Sequence, residues 1–203
     1  MVTIPVVKRF WSQRLTTSPS DPLADATASL VLRLRHGEAE AGALLNDLYR
    51  EALVRFCWGY LGRRDEAEDA VQDICYRVLT ASTVPDSLRP WLYKTARNHC
   101  FDLIRRRARR ADGGALQAAS QIAESLTGHL TRLVERERRS QLAELVHTLP
   151  LEQQEVLRLR YVEGLSRAEA AEVLERPESE VKSLLYRGVK FLRDHAATSG
   201  DSI

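Results

Sequence analysis

The feature that most constrains this chain is the spacing of its apolar residues, which recur with the period of an α-helix from Leu30 almost to the C-terminus. The clearest run has offsets of 0, 3, 4, 7, 8, 11 and 15 residues, and such positions share one helix face. Its members are Leu45, Leu48, Tyr49, Ala52, Leu53, Phe56 and Tyr60. Gly62 follows, and a glycine just past the last periodic residue favours a helix end. Because no stretch alternates apolar and polar residues convincingly, the pattern predicts an all-α fold.

Length and composition narrow the class of protein further. The chain has 203 residues, which is room for one or two domains, and 44% of them are hydrophobic, as in ordinary globular proteins. A membrane-spanning helix needs about 18 consecutive apolar residues, and the chain has no such run. The apolar patch at the N-terminus is broken by Pro5 and closed by Lys8, so it is too short for a secretory signal. We therefore expect a cytoplasmic protein without membrane insertion.

Changes in composition divide the chain into two helical domains joined by a linker. Residues 1–27, rich in Pro, Ser and Thr, are predicted to be a flexible N-terminal extension. Residues 28–110 form the first predicted domain, and the Ala-, Ser- and Gln-rich segment 111–137 is predicted to be a linker. Residues 138–195 form the second domain, which leaves residues 196–203 as a C-terminal tail.

Two helix boundaries in the first domain follow from local signals. The apolar stretch Leu30–Arg35 is expected to end at Gly37. Asp65 is a candidate N-cap because Glu68 follows three residues later. The helix after it has one apolar face, made of Ala67, Ala70, Val71, Ile74 and Val78. Its outer side is strongly acidic.

That acidic side raises the question of catalysis. Glu66, Asp69 and Asp73 share a helix face, and convergent carboxylates hold the paired cations of some nucleases. No second carboxylate cluster accompanies them, and the chain has no Gly-rich phosphate loop, no G-x-S-x-G elbow and no H-E-x-x-H motif. Its three cysteines form no CxxC pair. We therefore expect no enzyme, no metal and no cofactor, and an acidic face that docks on a basic protein surface.

Positive charge is concentrated in one stretch. A polar loop over Thr80–Pro90 precedes a helix that is predicted to start at Trp91. Its apolar stripe comprises Leu92, Ala96, His99 or Cys100, and Leu103. The stretch from Arg89 to Arg110 contains eight basic residues and one acidic residue, although the net charge of the whole chain is only +2. Such a distribution is typical of a surface that binds a polyanion.

Aromatic residues stand at the start of this basic helix. Trp91 and Tyr93 lie there, and Asn98 follows about two turns later. Aromatic rings beside cations can stack on unpaired bases while the cations hold the phosphates. A polar side chain can then read the edge of a base lifted out of a duplex. A core-anchor role for Trp91 is the alternative.

The second domain has the pattern of a helix-turn-helix. One helix ends before Pro150 and carries Leu142, Leu145, Val146 and Leu149. The next carries Val156, Leu157, Leu159 and Tyr161 and ends at Gly164. Ser166 and Glu169 form a capping box for a third, short helix, and Pro177 suits the first turn of a fourth. The buried face of that last helix is predicted to comprise Val181, Leu184, Leu185, Gly188 and Leu192.

The last helix has a basic and polar outer face that a DNA major groove could accept. Its exposed candidates are Ser179, Lys182, Ser183, Tyr186, Arg187, Lys190 and Arg193. A helical hairpin with a solvated charged face remains the alternative.

Two sets of motifs resemble the sigma-70 family of RNA polymerase sigma factors. DEAEDAVQDI from Asp65, WLYKTARN from Trp91, Asp102 and Arg105–Arg107 are similar to sigma region 2. LP at Leu149, EVLRLRY from Glu155, GLS from Gly164 and VKSLLYRG from Val181 are similar to region 4. No segment matches regions 1 or 3, and this layout resembles the extracytoplasmic-function group.

The resemblance implies a factor that binds core RNA polymerase and directs it to promoter DNA. The β′ clamp would be contacted by Asp65, Glu66, Asp69, Gln72 and Asp73. The −10 element would be opened and read by the loop from Thr80 to Arg89 and by Trp91, Tyr93, Lys94, Arg97, Asn98, Arg105 and Arg106. The −35 element would be read by Ser179, Lys182, Ser183, Tyr186, Arg187 and Lys190. The β flap and an anti-sigma protein are further implied partners.

Two departures from the family pattern concern the helix-turn-helix. Leu184 stands where the family often has a basic residue, and Glu175-Arg176-Pro177 replaces a turn that usually contains glycine. A stand-alone helix-turn-helix regulator, which binds duplex DNA without polymerase, is the alternative function.

Overall fold

The computed structural model describes residues 22–110, 145–146 and 148–198, with side chains described as far as residue 195. They belong to two compact units, one within residues 18–125 and the other built mainly from residues 126–171 and 175–203. All regular secondary structure in this part of the chain is helical. The expected all-α, two-domain architecture is therefore confirmed. The linker predicted at 111–137 lies outside the described residues, so its boundaries stay predictions.

Seven α-helices make up the described chain. The N-terminal unit contains α1 (Pro22–Arg35), α2 (Ala41–Leu61), α3 (Arg64–Leu79) and α4 (Leu88–Arg110). The C-terminal unit contains α5 (Leu151–Leu157), α6 (Arg167–Leu174) and α7 (Glu178–Thr198). Since α7 continues to Thr198, the first three residues of the predicted tail are helical.

Helix α2 is the centre of the N-terminal unit and packs against α1, α3 and α4. Leu45, Tyr49, Leu53, Phe56 and Tyr60 are almost completely buried, while Leu48 and Ala52 are half-buried. The predicted apolar face of α3 is buried at all five positions as well. Full burial of a large apolar side chain contributes about 1.5–3 kcal/mol, so these matched faces supply most of the driving force for packing.

Glycines end two helices as predicted. Gly37 has a φ of +67°, and the Glu38 N–H donates to the Arg33 carbonyl oxygen in a Schellman-type end for α1. Gly62 has a φ of +73°, and its N–H donates to the carbonyl oxygen of Trp58. Both residues therefore use a conformation that other residues adopt only with strain.

The predicted N-terminal extension is too long. Helix α1 begins at Pro22, so residues 22–27 form its first turns rather than a flexible segment. Proline suits this position because its fixed φ is helical and its missing N–H has no helical partner. The Thr27 hydroxyl donates to the Leu23 carbonyl oxygen at 2.6 Å and lies within hydrogen-bond distance of the Tyr49 hydroxyl on α2. Residues 1–21 lie outside the described part of the chain.

Helix α3 also starts differently from the prediction. The N-cap is Arg63, with extended backbone and no side-chain capping bond, rather than Asp65. Asp65 lies within the first turn and pairs with Arg63. A carboxylate there still interacts favourably with the helix dipole, which is why the sequence signal resembled a cap.

Helix α4 begins three residues before the predicted start. Leu88 is its first residue and is buried, and Pro90 occupies the first turn. The loop between α3 and α4 is therefore residues 80–87. The buried stripe continues from Cys100 to Ile104 rather than to Leu103, because the inward positions keep stepping by four residues.

In the C-terminal unit, α5 continues into a wider π-helical turn at Arg158–Val162, which the sequence pattern did not predict. Arg158 and Glu163 are buried around this turn, with the Arg158 Nε atom 3.5 Å from Glu163 Oε1. Val156, Leu157 and Leu159 are buried as predicted, and Tyr161 is half-buried. Leu142 lies outside the described residues.

The predicted start of α6 and the predicted inner face of α7 are both confirmed. The Glu169 N–H donates to Ser166 Oγ at 3.1 Å, and the Ser166 N–H donates to Glu169 Oε2 at 2.7 Å, which is a capping box. The buried positions of α7 are Val181, Leu184, Leu185, Gly188 and Leu192. Helices α6 and α7 with the turn between them have the helix-turn-helix form.

That turn contains a strained residue. Glu175 has a φ of +55°, and in the described chain it is the one non-glycine residue with positive φ. The Arg176 N–H donates to the Ala171 carbonyl oxygen, so Glu175 occupies the left-handed position of a Schellman motif. A residue with a Cβ atom pays about 1–2 kcal/mol for this conformation.

We predict that Glu175→Gly raises the free energy of unfolding of the C-terminal unit by up to about 1 kcal/mol, because glycine relieves the strain. Glu175→Ala is the matched control, since it removes the same side chain and keeps the strain. Urea denaturation followed by circular dichroism measures both. Equal stability of the Gly and Ala variants would contradict a strained turn.

Candidate functional site

An exposed stripe of acidic and polar side chains runs along α3. Its members, called the acidic stripe below, are Asp65, Asp69, Gln72 and Asp73. They lie at helical steps of four, three and one residues, opposite the buried apolar face, so they point to solvent together. The Arg63 guanidinium hydrogen-bonds to Asp65 and holds the pKa of that carboxyl below its usual range. Asp65 therefore stays ionised.

Glu66 does not belong to this stripe, although it was predicted to contact polymerase together with the other acidic residues of α3. Its side chain is only 28% exposed and pairs with Arg107 on α4. The structure turns this carboxylate towards the neighbouring helix.

Two apolar residues that the sequence analysis did not select continue the acidic stripe. Tyr76 is 67% exposed and Leu79 is 48% exposed, and they follow Gln72 at steps of four and three residues. Their exposure could have been predicted from the sequence, because these steps from Gln72 place them on the same outward face of the helix. The surface of α3 is therefore acidic at its N-terminal half and apolar at its C-terminal end.

Helix α4 presents a second surface, called the cationic stripe below. It comprises Trp91, Lys94, Arg97, Asn98, Arg105 and Arg106. Asn98, Arg105 and Arg106 are exposed, and Trp91, Lys94 and Arg97 are half-buried. The Arg97 guanidinium lies 4.3 Å from the centre of the Phe101 ring, a cation–π contact that directs it along the helix surface. The half-buried Trp91 is therefore not completely enclosed by the core.

Tyr93 is a correction to the predicted set. It is only 3% exposed, and its ring packs edge-on against Phe56 of α2 with 5.0 Å between ring centres. Aromatic pairs of this geometry stabilise a core. Tyr93 is therefore a packing residue and is not available to stack on a base.

His99 lies between the two surfaces. Its Nε2 atom is 3.9 Å from Asp73 Oδ2 on α3. Burial lowers the pKa of His99, Arg77 and Arg106 lower it further, and Asp73 and Asp102 oppose the shift. The ring is therefore neutral near pH 7.

In the C-terminal unit, the predicted DNA-reading residues share one face of α7. Ser179, Lys182, Ser183, Tyr186, Arg187 and Lys190 are all exposed. The Tyr186 ring is 67% exposed, and the Arg187 Nε donates to the Ser183 carbonyl oxygen at 3.4 Å. Leu184 is buried, so the position that is often basic in the family has no outward side chain here.

Ion pairs hold the first turn of α7 to its neighbours. Arg167 of α6 lies 3.4 Å from Glu178, and Arg176 of the turn contacts both Glu152 of α5 and Glu180. Two of its three pairs join residues that are 11 and 24 positions apart, so local sequence patterns could not reveal them. It neutralises two carboxylates that stand next to the basic face.

Two further observations bear on the kind of site. Across the residues that the structure describes, no three His, Cys, Asp or Glu side chains gather in a way that could hold a metal ion. In the same residues, no helix is long and apolar enough to span a membrane.

Comparison with known sequences gives the class of protein. The family model for Sigma-70 region 2 matches residues 45–110, and that for Sigma-70, region 4 matches residues 139–192. These segments contain the acidic stripe, the cationic stripe and the exposed face of α7. The chain is therefore a sigma factor of the sigma-70 family, a class of proteins that are not enzymes.

Individual relatives narrow the class. The chain is 30% identical over 181 residues to the ECF RNA polymerase sigma factor BldN of Streptomyces coelicolor, covering 84% of this chain and 67% of BldN. It is 27% identical over 173 residues to the ECF RNA polymerase sigma factor SigW of Bacillus subtilis, covering 80% and 92%. Within the sigma-70 family, the chain belongs to the extracytoplasmic-function (ECF) group. As a sigma factor it binds core RNA polymerase and directs promoter-specific transcription initiation.

Solved structures support the fold. CnrH, in complex with the cytosolic domain of CnrY, has a TM-score of 0.56 at 23% identity, covering 87% of this chain and 99% of CnrH. The sigma factor RpoE, in complex with the anti-sigma factor NepR from Bartonella quintana, has a TM-score of 0.55 at 19% identity, covering 78% and 98%.

We predict that His99 makes stability depend on pH. Its pKa in the folded chain is below the value of about 6.5 expected when unfolded, so the unfolded state takes up the proton first as pH falls. The stability contribution is complete above about pH 6.5 and is lost below it. His99→Gln should therefore lose less thermal stability than the wild type between pH 7.5 and pH 5.5 in melting experiments. An identical loss in both proteins would contradict this role.

Proposed function

We propose that the acidic stripe of α3 is the surface that docks on core RNA polymerase, at a basic helical surface such as the β′ clamp. The observation that carries this proposal is that Asp65, Asp69, Gln72 and Asp73 share one exposed face, which the apolar side of the helix forces outward. Complementary charge accelerates association and fixes the orientation of the partners. The role of Glu66 differs because its carboxylate is engaged inside the unit.

We propose that the cationic stripe of α4, with the loop 80–87 before it, opens and reads the −10 element. Strand opening costs unstacking energy, which a ring that stacks on a flipped base and cations that hold the phosphates can offset. On this one helix, Trp91 supplies a ring, Arg105 supplies a cation, and Asn98 supplies a polar side chain that can read the edge of a base. Tyr93 is left out because it is part of the core.

We propose that the exposed face of α7 reads the −35 element in the major groove. Lys182, Arg187 and Lys190 can contact phosphates or guanine edges, Ser179 and Ser183 can contact either, and Tyr186 can pack on a thymine methyl. The burial of Leu184 shortens the list of base contacts at this helix. Ion pairs around Glu178 and Glu180 reduce their repulsion of the DNA.

The presence of two DNA-binding units on one chain explains why such a factor acts only with polymerase. Each unit makes a modest, largely phosphate-based contact, so binding to bare DNA should be weak and sensitive to salt. When both units are held by one polymerase, their contacts act together. The β flap is the further polymerase contact that the family resemblance implies, and an anti-sigma protein is a candidate regulator. The place of action is the cytoplasm, where polymerase and promoters are.

We predict that Asp69→Arg combined with Asp73→Arg abolishes detectable binding to core RNA polymerase, because the stripe then repels a basic surface. Glu38→Arg combined with Glu40→Arg is the matched control, since both carboxylates are exposed in the turn before α2 and the change in charge is the same. Competition binding with purified core polymerase measures both. A stand-alone regulator would bind duplex DNA without polymerase and would not respond to either pair.

Arg187→Ala should weaken promoter binding by holoenzyme by about 1–3 kcal/mol if its guanidinium contacts a guanine in two places. Arg187→Lys keeps the charge and loses the paired geometry, so it should keep phosphate affinity and lose base discrimination. Binding to a set of −35 point variants separates the two effects. If both variants discriminate between the −35 sequences as the wild type does, Arg187 does not contact the bases.

Trp91→Ala should chiefly impair strand opening, because an unpaired base would lose the ring on which it is proposed to stack. Permanganate reactivity of the −10 thymines in the holoenzyme–promoter complex measures opening. Trp58→Ala, a half-buried tryptophan of α2, controls for loss of packing. Wild-type reactivity in the Trp91 variant would leave this residue as a core anchor.

A further inference from the structure

Three helix ends meet at one side chain in the N-terminal unit. Leu61 is the last residue of α2, Glu66 lies in the first turn of α3, and Arg107 lies in the last turn of α4. The Arg107 side chain is 35% exposed, whereas that of the neighbouring Arg105 is 68% exposed. The basic run at the end of α4 therefore contains one arginine that points inward, unlike its neighbours.

Arg107 contacts both of the other helix ends. Its Nη1 donates to the Leu61 carbonyl oxygen at 3.3 Å, and its Nη2 pairs with the Glu66 carboxylate. The last carbonyl groups of a helix have no partner within that helix, so this donation satisfies one of them. The planar guanidinium can make both contacts at once, which an ammonium group at the same place could not do with fixed geometry.

This arrangement links the two surfaces of the unit. The acidic stripe is on α3, the cationic stripe is on α4, and the Glu66–Arg107 pair joins the first turn of one helix to the last turn of the other. A shift of α4 along α3 would break the pair and the bond to Leu61 together. The pair therefore adds a polar contact between the ends of α3 and α4 to the apolar packing that these helices share.

We propose that Glu66 and Arg107 are positioning residues for strand opening: they hold α4 against α3 so that polymerase bound at the acidic stripe places the cationic stripe on the −10 strand. Neither residue touches polymerase or DNA in this role. The proposal rests on the proposed function of the two stripes, and it reassigns Glu66 from the docking surface to the interior.

The test separates docking from opening. Glu66→Gln is assembled with core polymerase on a promoter, and core affinity and permanganate reactivity of the −10 thymines are both measured. We expect core affinity within about twofold of wild type and at least about fivefold slower opening, since mispositioned groups lose rate rather than binding. Asp69→Asn is the matched control, because it should weaken core binding and open normally once core polymerase is saturating.

A charge exchange tests the pairing itself. Glu66→Arg and Arg107→Glu should each impair opening, and the double variant should recover at least about half of the opening rate, as coupled residues do. Circular dichroism must show each variant folded at the assay temperature, so that lost stability does not mimic the effect. A pair that only adds stability would show normal opening in every folded variant.

Three results would overturn the proposal. They are loss of core affinity in Glu66→Gln as large as in Asp69→Asn, normal opening in folded Glu66→Gln, and no recovery in the exchanged double variant. If the wild-type chain fails to bind core polymerase, the proposed function fails instead. The pair is then still tested by a double-mutant cycle of unfolding with the full chain, where additive effects would show that it does not form.

Discussion

The burial of one apolar face of α3 against α2 and α4 is the constraint on which the rest of the N-terminal unit depends. Ala67, Val71 and Ile74 are buried by it, and the four residues of the acidic stripe are exposed by the same rotation of the helix. Packing and charge display are therefore one property of one amphipathic helix. Any substitution that turned α3 about its axis would remove the acidic stripe from the surface even if every acidic residue remained.

Helical periodicity predicted nearly all of the inner faces, because a period of 3.6 residues is a repeating signal that several positions reinforce. The same periodicity could not tell which of two nearby residues on one helix is buried and which is exposed. Tyr93 is buried although Trp91 is partly exposed, and Arg107 turns inward although Arg105 turns outward. These differences depend on which neighbouring helix offers a partner, such as the Phe56 ring or the Leu61 carbonyl group, and a single helix does not contain that information.

Local sequence signals predicted some helix ends correctly and others incorrectly, for the same reason. Gly37, Gly62 and the Ser166–Glu169 capping box act through atoms a few residues away, so the sequence was sufficient to place them. Asp65 satisfied the compositional rule for an N-cap, but the N-cap is Arg63 and Asp65 lies in the first turn. The family likeness supplied what local patterns could not, namely the role proposed for each exposed face. The strain at Glu175 was not predicted, because the composition of the turn does not reveal that the residue adopts a conformation that glycine would adopt more easily.

The wider turn after α5 has a consequence for how the sequence of this unit can change over time. It encloses Arg158 with Glu163, and both side chains are almost completely shielded from water. Removal of one partner of a buried ion pair leaves the other charge less compensated and typically costs about 3–5 kcal/mol, whereas replacement of both by apolar residues of similar volume is often neutral. Viable descendants of this chain should therefore keep both residues or exchange both, and an intermediate with one of them would have a poorly folded C-terminal unit.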